Sequence, residues 1–497
     1  MVTIIDLISV QSPKDISAFI DYLNSRNKRH DTRNVALYKA YIANQEQLIF
    51  DEIGTNAFNA LKKRLTDQLI EFSGGRFLTH ELSSENQVIK LIVLARKLFA
   101  VHKDKTGFQL LKRAEKKALG LDHYSLLNEI YHTMIEHSHK MEDVDQKALF
   151  QKLERNNQLF ISEEKLGVLY ASMQKQFNSE NFGVFPSTLH ELYDDGLKVF
   201  GIDSDVAMSF RSLNQLCVLT DLYGSQTKNY HQLDLFFEDM IAPLQGSERD
   251  TDKMLGYHIE LLYGLSNIYF RKKDAIKSMF YLNQMKIQLL RLNGKYKKLW
   301  HSRYTNLLAL NLNFSSRWSK AIDLLEGALE SSVLRDNEKA LLSLSLSMFY
   351  FQHGELNEVK RMINSFNKTD NWYLRQMGNE WLFNFKAIEV LLHFDLGNDL
   401  LAESKILSFQ RKYAKHFKTD KNNPLWPFLQ LVKSVLHTPE DIGTKEFVHK
   451  VENAIPWRGE QEDFFNMCFY GWLKAKMTKA PLYKVTLDLL NFNSNQK

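Results

Sequence analysis

Residues 346–366, LSMFYFQHGELNEVKRMINSF, decide the fold. A large residue, Leu346, precedes a small one, Ser347. Tyr350 follows three residues on, Gly354 four beyond it, and Val359, Ile363 and Phe366 continue at helical spacing. Two helices joined at a turn glycine satisfy this order. Ser347 leaves room for a second helix to approach, Tyr350 fills the gap beside it, Gly354 reverses the chain, and Val359 stands where the second helix crosses the first.

The pattern recurs. Leu308-Ala309, Leu312, Trp318, Ala321, Leu325 and Ala328 follow it, as do Leu265-Ser266, Tyr269, Ser278, Leu282 and Met285. Val390, Gly397, Ala402, Ile406 and Phe409 follow it more loosely. The small positions Ser266, Ala309, Ser347 and Val390 are separated by 43, 38 and 43 residues, and the crossing positions Ser278, Ala321, Val359 and Ala402 repeat those intervals. Two independent positions keeping one set of intervals mark an internal repeat. An earlier, degraded unit is expected through Cys217, Tyr230, Phe237 and Met240.

Large-small, aromatic, turn glycine and small residue in this order resemble the tetratricopeptide helix–turn–helix unit over about residues 205–415. The intervals exceed that family's usual length of about 34 residues, so longer helices or loops are expected. The resemblance implies an all-α protein built as a right-handed superhelix of antiparallel helix pairs, a tetratricopeptide-like α-solenoid with an N-terminal helical region. The organisation expected is an N-terminal helical hairpin region over 1–140, a helical connector over 141–204, the solenoid over 205–440, and a C-terminal helical cap over 441–497, with 461–476 as its main helix. In the N-terminal part Ser12-Pro13-Lys14-Asp15 opens a helix as cap, first turn and dipole partner. Ser73-Gly74-Gly75 is expected to end the helix over 56–72. The segment 178–186 is the longest irregular link.

Composition agrees with helices. The 497 residues hold only 8 prolines and 21 glycines, against typical shares of about 5% and 7%. Sheets spend both residues on turns, and long helices do not. With 44% hydrophobic and 25% charged residues the chain is globular in type. All-β, collagen-like and low-complexity folds are excluded. The net charge of +5 is weak for this length. The basic clusters, such as Lys112-Arg113 with Lys116-Lys117, alternate with apolar residues as solvated helix faces do, so nucleic acid is not the expected partner. Cys217 and Cys468 cannot form a disulfide framework or a cysteine metal site, which fits reduced thiols in the cytoplasm. The start of the chain lacks the basic region and cleavage site of a secretory signal, and no run of about 18 apolar residues predicts a membrane span.

In this repeat class the first helix of each pair lines the concave side. The residues expected there are Tyr263, Asn267, Phe270 and Arg271; Arg303, Asn306, Asn313 and Phe314; Met348, Phe351 and Gln352; and Asn384 and Phe394. Amide side chains can grip both the N–H and the C=O of a peptide, and aromatic rings supply apolar anchors. The same phenylalanines would serve equally well as packing between pairs. The function expected is a non-catalytic scaffold or adaptor that binds a protein or peptide in the groove. One alternative is a peptide- or signal-sensing regulator whose superhelix changes pitch on binding; another is a helical nucleic-acid binder.

No enzyme signature stands out. Glu129-x-x-His132 and Glu136-x-x-His139 match half of a carboxylate-bridged metal motif, but both sit on or beside one helix, where such a site cannot close. Ser162-x-x-Lys165 and Lys105-Thr106-Gly107 occur in the wrong order for a serine acyl-enzyme, without their companion motif. No phosphate-cradling loop, dinucleotide fingerprint or nucleophile elbow is present. No cofactor, metal or small-molecule substrate is expected.

Overall fold

A computed structural model describes residues 4–9, 11, 13–25, 32–43, 45–80, 84–177, 188–202, 209–227, 233, 255–291, 295–331, 334–419, 423–457 and 464–491. Ser12, the 178–186 link, and Tyr230, Phe237 and Met240 of the degraded unit lie outside them. Among the described residues every regular element is helical and no strand occurs. The chain divides into two compact units, Met1–Leu153 and Glu154–Lys497.

The first unit contains α1 (Ile4–Ser9), α2 (Pro13–Ser25), α3 (Arg33–Ala43), α4 (Glu46–Ile53), α5 (Thr55–His80), α6 (Ser84–Ala100), α7 (Asp104–Leu119) and α8 (Tyr124–His137). Phe19, Leu23, Leu37, Tyr38, Leu65 and Leu69 form one core among α2, α3 and α5. Helix α5 runs on through Ser73-Gly74-Gly75, where a stop was expected. Each mid-helix glycine costs about 1 kcal/mol, but tertiary contacts hold the turns that follow. Gln11 donates to Ser73 Oγ at 3.4 Å, and Arg76 pairs with Asp15 of α2 at 2.5 Å. Helices α6, α7 and α8 form a second packed group. A methyl group at Gly107 would stand 2.7 Å from the Phe99 ring, so the glycine sets how closely α7 approaches α6.

The division between units falls inside α9 (Gln146–Phe177). Its later turns bury Leu166, Leu169, Tyr170, Met173 and Phe177 against α10 (Leu189–Phe200) and α11 (Phe210–Thr227). Thr188 and Glu191 build a reciprocal cap on α10, and Gly201 ends it in the left-handed conformation.

Four helix pairs follow: α12 (Leu255–Arg271) with α13 (Ala275–Arg291), α14 (Lys295–Phe314) with α15 (Trp318–Leu329), α16 (Asp336–His353) with α17 (Leu356–Ser365), and α18 (Asp370–Asp395) with α19 (Asp399–Thr419). Each pair packs together, and neighbouring pairs pack in sequence. The repeat read from the sequence has a backbone counterpart. The residues with positive φ between paired helices are Lys273, Ser316, Gly354 and Gly397, again separated by 43, 38 and 43 residues. At each turn the next amide donates back five residues: Asp274 to Tyr269, Arg317 to Leu312, Glu355 to Tyr350 and Asn398 to His393. This Schellman closure satisfies carbonyls that a helix end leaves open.

The expected small and crossing positions are all buried. In the first pair they touch. Ser266 Oγ lies 3.1 Å from Ser278 Oγ, and each hydroxyl also donates to the other residue's carbonyl, at 3.0 and 2.9 Å. Long helices account for the long intervals, and the last pair has a further cause. Gly378, with φ 85°, breaks α18 and sets a short extra helical turn, 370–377, before the first helix proper. That turn is anchored by Asp370, which Lys412 and Lys386 approach at 2.8 and 3.3 Å. Burial opposes the charge of Asp370, but the two lysines hold its pKa below the ordinary value.

Among the described residues four more α-helices follow: α20 (Leu425–His437), α21 (Lys445–Ala454), α22 (Phe464–Thr478) and α23 (Leu482–Asn491). One continuous hydrophobic core runs from Leu255 of α12 to Leu489 of α23.

The turns give a direct test. An L-residue in the left-handed region costs about 1–2 kcal/mol, so Ser316→Gly is expected to raise stability by about 1 kcal/mol and Gly354→Ala to lower it by about as much. Urea unfolding of the two variants reads both signs; a destabilised Ser316→Gly would contradict the turn geometry.

Candidate functional site

The expected groove residues fall into two sets. Those on the last turns of the first helices face α22. Phe270 stacks on Phe464 with ring centres 4.3 Å apart and planes 6° apart, and Phe314 meets the same ring at 4.7 Å. Gln352 donates to Cys468 Sγ at 3.7 Å, and the Cys468 thiol lies 4.0 Å from the sulfur of Met348. Phe394 packs edge-on to Trp472 at 5.0 Å. Trp472 Nε1 donates to Asp395 at 3.4 Å, and Lys476 reaches the same carboxylate at 2.6 Å.

Phe464, Cys468, Trp472 and Lys476 are spaced by four residues, so they form one row on α22. The row crosses the turn ends of α12, α14, α16 and α18 in chain order. The other faces of α22 are covered as well. Phe469 stacks on Phe428 of α20 at 4.8 Å, Tyr470 stacks on Trp457 at 5.0 Å, and Met467 and Leu473 are fully buried. Helix α23 packs on α22 beside Gly471, where a methyl group would make an ordinary contact with Leu489 at 3.4 Å.

Helix α23 adds polar contacts. Tyr483 donates to the Asn313 carbonyl at 2.6 Å, while the Asn313 side chain donates to Gln352 at 2.8 Å. His353 lies between two rings, with Trp318 at 4.0 Å and Tyr483 at 4.1 Å. Burial pushes its pKa below the usual imidazole value. Phe351 is buried in the common core. Arg271 lies half-buried at the end of α12.

The second set, apart from Asn313 at the end of α14, lies further from the turns. Tyr263 packs against Trp300 at 5.6 Å, and the Arg303 guanidinium sits over the same indole at 5.0 Å. Asn267 donates to Asp221 of α11 at 3.0 Å. Asn306 Oδ1, Asn313 Oδ1 and Asn384 Nδ2 are buried and have no hydrogen-bond partner among the described residues. The amides expected to grip a peptide therefore retain unused hydrogen-bonding capacity, each buried orphan costing about 1–3 kcal/mol unless solvated.

The row on α22 escaped the sequence reading, although the helix itself was expected within the C-terminal cap. Its apolar, small, aromatic and basic residues at intervals of four were visible, but nothing local says which surface they meet.

The metal-like motif has other occupations. Glu129 is ion-paired with Arg96, which also donates to Thr133, while His137 stacks on Phe99 at 4.0 Å. Among the described residues no group of three or more His, Cys, Asp or Glu is placed to hold a metal ion. Burial pushes the Cys217 thiol far above its ordinary pKa, so it is held as the thiol. No described helix is long and apolar enough to cross a membrane.

In comparisons with known proteins no family model matches the chain, and no curated protein matches it.

His353 gives this site a pH signature. Its folded pKa is lowered, so the unfolded chain binds the proton more readily. The stabilisation is complete above the unfolded value near 6.5 and is lost as the pH falls from there through the lowered folded value. His353→Phe keeps a ring between Trp318 and Tyr483, and is expected to flatten the fall of the urea midpoint from about pH 8 to about pH 5.5. An unchanged slope would contradict the assignment.

Proposed function

We propose that this protein is a non-catalytic interaction scaffold or adaptor, a tetratricopeptide-like right-handed α-solenoid whose groove binds a helix or peptide of a protein partner. The observation that carries the reading is the α22 row. Phe270 and Phe314 receive an aromatic ring, Met348 and Gln352 a small polarisable side chain, Phe394 an indole, and Asp395 an ammonium group. This is helix-in-groove recognition, in which residues on one helical face supply the anchors. The helix now held is the chain's own, and being tethered gives it a high effective concentration. A partner helix must therefore offer a better row or enter when α22 yields.

The regulator alternative also has support. Through its row α22 touches all four pairs, so exchanging it for another ligand would reset their spacing and the pitch of the array. Two cysteines outside any disulfide fit the reducing cytoplasm.

A labelled peptide of residues 464–478 is the probe. Against the full chain with its own row weakened by Phe464→Ala and Trp472→Ala, and verified as helical by circular dichroism, binding is expected at least about tenfold tighter than to the unmodified chain. Adding Phe270→Ala and Phe394→Ala should abolish it. A folded, weakened chain that ignores the peptide, or binds it regardless of the groove phenylalanines, would refute the scaffold reading. A change of scattering radius on peptide addition would favour the regulator.

A further inference from the structure

Helix α13 has two apolar faces. Ser278, Leu282, Met285 and Leu289 are buried within the array. On the opposite side Ile276, Phe280, Ile287 and Leu290 remain 85%, 56%, 54% and 69% exposed. At 3.6 residues per turn these four lie within an arc of about 80° and extend about 21 Å along the helix. These four large apolar side chains share one exposed face, with the exposed Asn283 between Phe280 and Ile287, and such a grouping on one helix differs from the scattered leucines of an ordinary surface and marks a place of contact.

Charge narrows the occupant. The sequence of α13, AIKSMFYLNQMKIQLLR, carries no carboxylate. Lys277 and Arg291 flank the stripe on one side and Lys286 on the other. Lys277 lies over the Tyr269 ring, and Arg291 donates to Gln288 at 2.7 Å. Two such stripes facing each other would bring cation against cation, which disfavours a second copy of this chain.

We propose that this outer face of α13 is a second interaction surface, which binds an amphipathic helix with an apolar stripe edged by Asp or Glu. It stands independently of the groove, because no residue of the α22 row takes part. The apolar stripe supplies the affinity, while Lys277, Lys286 and Arg291 set the partner's register and speed its approach.

The test uses a labelled 18-residue helical peptide with leucines on one face and glutamates along both edges, and a control with lysines in place of the glutamates. Fluorescence anisotropy with the full chain should show the acidic peptide bound and the basic control not bound. Phe280→Gln combined with Leu290→Gln should weaken binding at least about tenfold, and Lys286→Glu several-fold. Both changes are at exposed positions, and circular dichroism verifies the fold. Failure to bind the acidic peptide, or equal binding by these variants, overturns the proposal. So does stripe-dependent sedimentation with phosphatidylserine vesicles, which would assign the surface to a membrane, or a dimer abolished by Phe280→Gln, which would assign it to a second copy.

Discussion

The seating of α22 across the turn ends of the first helices is the contact on which the second unit depends. A stack of helix pairs buries the faces between neighbours but leaves one side of each first helix without a partner. Here that side carries Phe270, Phe314, Met348 and Phe394, too much apolar surface to leave in water at roughly 25 cal/mol per Å². A single buried helix covers it and joins the pairs into one core. Aromatic stacking fixes its position and the Lys476–Asp395 pair anchors its end.

The same contact bears on function. Phe270, Phe314, Met348 and Phe394 pack a helix of the same molecule with the side chains that the proposed recognition would use. On the scaffold function proposed above, affinity for an outside helix would be a difference between two similar free energies, and the energetic state of α22 would decide whether the groove opens. One buried atom of each of three amides, Asn306 Oδ1, Asn313 Oδ1 and Asn384 Nδ2, has no hydrogen-bond partner among the described residues.

What the sequence discloses here is local. A small residue, a turn and a crossing residue lie within about one helical pair, and the chain needs nothing distant to obey them. Thus Ser266 and Ser278 meet as their pattern predicts, and the positive-φ turns keep the intervals of the small positions. Lys273 and Ser316 occupy turn positions where glycine would be the obvious signal, so periodicity rather than residue type discloses them. Misreadings arise where tertiary contacts override local preference. Arg76 and Ser73 carry α5 through two glycines, and Gly378 breaks a helix whose flanking residues look uninterrupted. The pairing of Phe270 with Phe464 is illegible for another reason: nine α-helices, α13 to α21, lie between the two residues among the described residues, and no periodic pattern links them.

Hydrogen exchange of the full chain tests the central claim most directly. If α22 is the buried helix that unites the four pairs, amides of residues 467–476 should exchange as slowly as those of residues 342–351 in α16, since both would open only with the core. Exchange of the α22 amides within seconds, while α16 stays protected, would contradict the account.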